Sequence, residues 1–335
     1  MTPMNTTNAK LNVVFLDASS VDCGDMDMSR FRNDWNCVFY PETARGQTAE
    51  RLSGQHVAVT NKVVIRADVM DDPRAADLKL IAIAATGANN VDLDAARARG
   101  IAVCNVAGYS TAAVMQHTIG FILNFACNIP QYSRDVREGY WNRSSLFCLL
   151  NRQCMELEGK VLGIIGLGAI GLAVQRAAQA FGMMVLVSQR PGQQGPPPQG
   201  RVALDDLLRA SDFVSIHCPL TPETRGLIGA RELALMKPGA YLLNVARGKI
   251  VDEPALLDAL RQGRIAGAAF DVLSQEPPAP GHIMTEAARE LDNLIVTPHT
   301  AWSAREARQR LLHEVAENIA AFERGETRNR IEGQT

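Results

Sequence analysis

The feature that most narrows what this chain can fold into is a glycine pattern set between a strand and a helix. Gly166-Leu167-Gly168-Ala169-Ile170-Gly171 reads G-x-G-x-x-G. The pattern alone is weak. Here the apolar run Val161–Ile165 precedes it and the amphipathic stretch Ala169–Phe181 follows, which is the strand–turn–helix context that gives it meaning. Gly166 permits the tight turn, Gly168 lets a phosphate approach the backbone, and Gly171 lets helix and strand pack closely. The free N–H groups and dipole at the helix start, around Ala169 and Ile170, then suit a pyrophosphate.

The motif sits inside a longer alternation. Strand candidates Val161–Ile165, Met184–Val187, Phe213–Ile216, Ala240–Asn244, Ile265–Phe270 and Leu294–Val296 are separated by helix candidates near Ala169–Phe181, Leu204–Ala210, Arg231–Met236 and Glu253–Arg261. An earlier series holds apolar runs at Val13–Leu16, His56–Thr60, Leu80–Ala85 and Ile101–Cys104, with a helix at Asp92–Arg99. Alternation of this kind predicts parallel sheets flanked by helices. A long helix over Ser110–Asn128, followed by Pro130, joins the two series, and a last helix spans about Ser303–Phe322. The expected fold class is α/β, with two Rossmann-like domains, one flavodoxin-like and one dinucleotide-binding, and a cleft between them. At 335 residues the chain is long enough for both. Pro191–Gly200 reads as an exposed loop, and the polar ends, Met1–Lys10 and the tail from Gly325, as loose.

Composition excludes several classes. Net charge is -2, which gives no overall basic surface for nucleic acid. No apolar run of about 18 residues predicts a membrane span, and the N-terminus lacks the apolar core of a secretory signal. The 7 cysteines form no Cys-x-x-Cys pair and no metal-like spacing. They read as reduced thiols in a cytoplasmic protein, with no metal site expected.

The second strand of a dinucleotide fold normally ends in an acid that grips the ribose 2′-hydroxyl. This one ends Val187-Ser188-Gln189-Arg190, with no carboxylate. Arg190 could pair with a 2′-phosphate, which predicts that NADPH is accepted and preferred, Gln189 lying beside it.

Three polar residues stand just past strand ends: Arg247 in Asn-Val-Ala-Arg-Gly, Glu276 in Ser-Gln-Glu-Pro, and His299 in Thr-Pro-His-Thr. Together they suit reduction of a 2-oxo acid. Arg247 can hold the carboxylate and carbonyl oxygen through its planar donor fork. His299 can give the proton to the nascent alkoxide, or take it back in oxidation. Glu276 can bond the other imidazole nitrogen, fixing the ring and stabilising its protonated form. Of the remaining histidines, His217 ends a strand and could line the adenosine side.

With these residues in view, the sequence resembles the D-isomer-specific 2-hydroxyacid dehydrogenases from Val13 to Phe322. The matching stretches are Gly166–Gly171, His217–Thr224, Met236–Ala240, Asn244–Gly248, Asp271–Pro277 and Pro298–Ala301. Thr60–Val63, Ala85–Asp92 and Trp302 look most like the glycerate dehydrogenase (hydroxypyruvate or glyoxylate reductase) branch. The resemblance implies a substrate domain from residues 1–106 and 299–335 and an NAD(P)-binding domain over 107–298. It also implies that the backbone at Thr86, Gly87 and Ala88 meets the substrate carboxylate, with Trp302 on the substrate side. Thr111 would lie near the cofactor phosphates and Asp271 near the nicotinamide amide. Pro219, Thr224, Val245, Ala246 and Ala301 would line the cofactor. It implies a homodimer, in which Trp141 reaches the partner's site.

Some positions depart from the family pattern. Ala88 replaces an often larger residue, Gln116 an often acidic one, and Gln189-Arg190 the usual acid. Glu276 stands where the related formate dehydrogenases carry Gln, which argues against formate oxidation. Two other readings stay open at this stage. One is a broad-specificity 2-oxo acid reductase with another physiological substrate. The other is a dinucleotide-sensing binding protein resembling the corepressors of this fold.

Overall fold

The computed structural model describes residues 10–331. They form two compact units, one running to Ser110 and resuming at Ser303, the other spanning Thr111–Trp302. The crossings differ from the expected 106–107 and 298–299 for a local reason. The helix that opens the second unit begins at Thr111, and the segment through Ala301 is tied back to Asp271 of the same unit. His299, expected in the substrate domain, therefore belongs to the unit that carries the glycine loop.

The first unit runs β1 (Asn12–Phe15), α1 (Ser29–Asp34), β2 (Asn36–Phe39), α2 (Thr48–Arg51), β3 (Val57–Thr60), α3 (Ala67–Met70), β4 (Leu80–Ile83), α4 (Leu93–Ala98) and β5 (Ala102–Cys104). The sheet order is β2-β1-β3-β4-β5, all parallel. β3 and β4 are buried at every position, as expected of parallel strands covered on both faces. Asp92 caps α4 by accepting from Ala95 N at 3.0 Å. The helix Arg305–Glu323 returns to this unit and packs on β4.

The tail from Gly325 was expected to be loose, yet its described part is bound. Ile331 N donates to Val103 O at 2.9 Å, and Arg328 reaches Glu314 and Asn318, both at 2.7 Å. A polar tail can dock when its backbone finds a free strand edge, here that of β5.

The second unit runs α5 (Thr111–Cys127), α6 (Ile129–Arg137), β6 (Val161–Ile165), α7 (Ala169–Ala180), β7 (Met184–Val187), α8 (Leu204–Ala210), β8 (Phe213–Ile216), α9 (Ala230–Leu235), β9 (Tyr241–Asn244), α10 (Glu253–Arg261), β10 (Gly267–Phe270), α11 (Ile283–Glu290) and β11 (Leu294–Val296). Its sheet order is β11-β10-β9-β8-β6-β7, again all parallel. Order reverses between β6 and β8, where ligands of open α/β sheets bind. α5 packs along α7 over a core of Ile122, Phe125, Val174 and Ala178. Pro130 starts α6 as well as following α5. Asn128 turns the chain at φ 50°, and a proline is tolerated in a first helical turn, where its missing N–H is not needed. No single helix among the described residues is long and apolar enough to cross a membrane.

Candidate active site

The glycine loop follows β6 at the switch point. Gly166 has φ +98°, and a Cβ there would sit 2.6 Å from Cys218 N and 2.7 Å from the His217 carbonyl carbon. A Cβ on Gly171 would meet Gly166 O at 2.3 Å. Gly168, by contrast, faces open space, and no side chain caps α7. The loop is thus tight against β8 on one side and open over a bare helix start on the other, which fits a pyrophosphate.

Past β7 and β8, three buried polar atoms have no hydrogen-bond partner within the described residues: Ser188 Oγ, Gln189 Oε1 and His217 Nδ1. Unsatisfied buried groups are costly and rare. Here they border the crevice where the ribose side of a dinucleotide belongs, so the residues present fit the cofactor that the motif implies. Arg190 is exposed at this strand end. A second arginine, missed in the sequence, joins it. Arg201 donates to Ser188 O at 2.9 Å, and Val202 pairs with Ser188 in a parallel bridge. The signal was hidden because Arg201 lies beyond the proline–glycine loop. Thr224 spends its hydroxyl on the loop itself, donating to Pro219 O at 2.7 Å and accepting from Thr221 N at 2.7 Å. His217 bonds Ser215 Oγ at 2.8 Å through Nε2, and burial pushes its pKa down to about 4. Burial also pushes the thiol of neighbouring Cys218 up to about 11, too high for a ready nucleophile.

The three reactive candidates follow three neighbouring strands. Phe270, at the end of β10, pairs in register with Asn244 of β9 and Val296 of β11. Arg247, Glu276 and His299 leave from those ends. His299 Nδ1 lies 2.7 Å from Glu276 Oε2, with side chains 27% and 34% exposed. Glu276 Oε1 also accepts from Leu273 N at 2.8 Å. With Nδ1 held by a carboxylate, the outer nitrogen is the one that can exchange a proton with a substrate.

Arg247 is half-buried, its Nη1 donating to Ala246 O at 2.7 Å. Asn244 clasps this turn, donating to Arg247 O and accepting from Ala246 N, both at 3.0 Å. Val245 and Ala246 lie half-buried within it. Gly248 then seats the turn against the Glu276 loop, since a Cβ there would lie 1.9 Å from Leu273 C. Glu253, buried, holds the same loop through Ser274 N and Oγ at 2.6 and 2.7 Å. Gly248 and Glu253 went unread because their neighbours are distant in sequence.

The segment carrying His299 is pinned by Asp271, which is 1% exposed. Its carboxylate accepts from Thr297 Oγ1 at 2.6 Å and from Thr300 N and Ala301 N at 2.9 Å each. Both oxygens are thus engaged by the 297–301 segment. Trp141 lies half-exposed in a short 3-10 turn, its Nε1 donating to Phe147 O at 3.1 Å. Thr111 is the first residue of α5, and Trp302 the last of its unit. In the first unit, Thr86–Ala88 follow β4, with Thr86 Oγ1 donating to Val106 O at 2.9 Å.

Comparison with known proteins identifies the family. Residues 119–301 match the model of the D-isomer specific 2-hydroxyacid dehydrogenase NAD binding domain. A glycerate dehydrogenase of Methylorubrum extorquens is 42% identical over 96% of this chain and 98% of its own. A hydroxypyruvate reductase of Blautia hydrogenotrophica is 34% identical over 94% and 98%. The crystal structure of an NADPH-dependent glyoxylate/hydroxypyruvate reductase from Sinorhizobium meliloti, in complex with NADP and malonate, superposes with a TM-score of 0.80. It is 28% identical, with coverage of 96% of this chain and 97% of that one. The chain belongs to the D-isomer-specific 2-hydroxyacid dehydrogenases, in the glycerate dehydrogenase and hydroxypyruvate reductase branch.

Proposed function

We propose that this protein is a cytoplasmic reductase of small 2-oxo acids, hydroxypyruvate and glyoxylate foremost, giving the D-2-hydroxy acid, with NADPH preferred over NADH. The reading rests on the 2.7 Å pair between His299 Nδ1 and Glu276 Oε2, which leaves the outer ring nitrogen to donate. When bound, the cofactor supplies hydride to the carbonyl carbon. The chain supplies the rest. Arg247 anchors the carboxylate and polarises the carbonyl oxygen. His299, charged, gives its outer proton to the oxygen, and Glu276 stabilises the charged ring. Support for NADPH comes from the β7 end, where Arg190 and Arg201 stand and Ser188–Arg190 offers no acid to repel a 2′-phosphate.

A panel of 2-oxo acids assayed with NADPH and NADH in parallel tests the substrate and cofactor together. His299→Ala is expected to lower kcat by about 10²–10⁴ with little change in KM, the signature of a proton-transfer role. A His299→Ala enzyme with near-normal kcat would remove the mechanism. Equal kcat/KM with both cofactors would remove the NADPH preference.

A further inference from the structure

His299 sits at φ 53°, a left-handed backbone that a side chain resists. Such a conformation persists only when its surroundings over-determine it. Beyond the Glu276 contact to the ring, several of the constraints come from Asp271. His299 N donates to Asp271 O at 2.9 Å, and the Asp271 carboxylate takes the groups on either side of His299 described above. Something must in turn hold this buried carboxylate and the Thr297 hydroxyl. The sequence offers no lysine or arginine for it within the segment. What the structure places there is His117, from the middle of α5. Its Nε2 is 3.1 Å from Thr297 Oγ1 and 3.6 Å from Asp271 Oδ1. Its ring packs edge-on against Phe121, with centroids 4.5 Å apart.

Proton counting fixes the polarity of this contact. A hydroxyl has one hydrogen, and that of Thr297 goes to the Asp271 carboxylate, which only accepts. The hydroxyl can therefore meet His117 only as an acceptor, so His117 must carry a proton on Nε2. The ring is then a donor clamped between α5 and the segment that carries the catalytic histidine. We propose that His117 is a positioning residue for the reaction, a latch that fixes the His299 turn through Thr297 and Asp271 without touching substrate. The inference rests on the reading of His299 as proton donor.

The test compares His117→Leu, which removes the donor, with His117→Gln, whose amide nitrogen can reach the place of Nε2. His117→Leu is expected to lower kcat about tenfold while the dissociation constant for NADPH, measured by fluorescence titration, stays within about twofold. His117→Gln is expected to recover most of kcat. Thr297→Val should make the Leu substitution nearly silent, because the acceptor is gone. In the wild-type protein, nitrogen-15 NMR should show His117 protonated at Nε2, a readout that survives if the Leu variant fails to fold. Wild-type kcat in His117→Leu, no recovery in His117→Gln, additive losses in the double variant, or an unprotonated Nε2 would each overturn the latch. His299→Ala is the control. If it keeps kcat, the functional reading fails; if it loses kcat and His117→Leu does not, only the latch fails.

Discussion

Two histidines of one unit are set to opposite duties by what surrounds their nitrogens. His299 keeps a partly exposed ring, with Nδ1 set against the Glu276 carboxylate. His217 has Nδ1 sealed from solvent without a partner among the described residues, and burial lowers its pKa to about 4. Linkage gives the sign of the consequence. The unfolded chain takes up a proton at this residue near the ordinary histidine value of about 6.5, whereas the folded chain resists until about pH 4. Its contribution is therefore fully present above about pH 6.5 and is lost as pH falls through that window. At roughly 1.4 kcal/mol per unit the loss is at most about 3 kcal/mol, less where solvent reaches the ring. Denaturant unfolding of wild type and His217→Asn at pH 7.5 and 4.5 should show the wild type losing more stability on acidification. Equal losses would mean that His217 titrates normally in the folded protein.

At the scale of elements, the site is a set of loops held at fixed spacing by the ends of β9, β10 and β11. Gly248 is where two of those loops meet, and its Cα faces the Leu273 carbonyl group with no room for a methyl. Gly248→Ala must push the Arg247 turn away from the Glu276 loop. It should cost about 2 kcal/mol or more and depress kcat/KM, read by thermal unfolding and steady-state assay. A variant as stable and active as wild type would show that the turns are not packed as described. The same element explains what could be read in advance. β6, β7, β8 and β11 and helices α8 and α10 fall where the apolar patterning put them; for the central strands β6 and β8, burial on both faces writes continuous apolar runs. The Glu276–His299 contact followed from the rule that strand ends converge. β2 was missed because it is a four-residue edge strand with alternate positions exposed. α11 was missed because His282 caps it in a segment that reads as loop. The hold of Asp271 on residues 297–301 was invisible for a different reason. It depends on which atoms a carboxylate reaches, and no spacing rule encodes that.

At the scale of the whole molecule, one stretch of surface is out of keeping with the rest. Between residues 129 and 150, Phe147 is 90% exposed, Leu150 82%, Ile129 64%, Leu146 63% and Trp141 50%. Isolated apolar side chains on a surface are ordinary, but five strongly exposed ones in a single short segment make it a candidate interaction face. The backbone that carries them is anchored. Arg152 pairs with buried Asp135 at 2.9 Å, Asn151 joins the same carboxylate at 3.0 Å, and Tyr132 Oη donates to Arg152 O at 3.1 Å. A segment tied down by its polar groups while presenting its apolar ones outward is built to be covered. The expected homodimer would place a second copy of the chain here, since a two-fold contact buries the same patch twice and closes on itself. Light scattering should therefore give about twice the 36.4 kDa chain mass. Replacing Phe147 and Leu150 together by Ser should shift the protein toward monomer and leave its melting temperature at low concentration little changed, since neither side chain is buried in the protomer. A wild-type protein that stays monomeric at micromolar concentration, or a Ser variant that dimerises undiminished, would place the interface elsewhere or remove it.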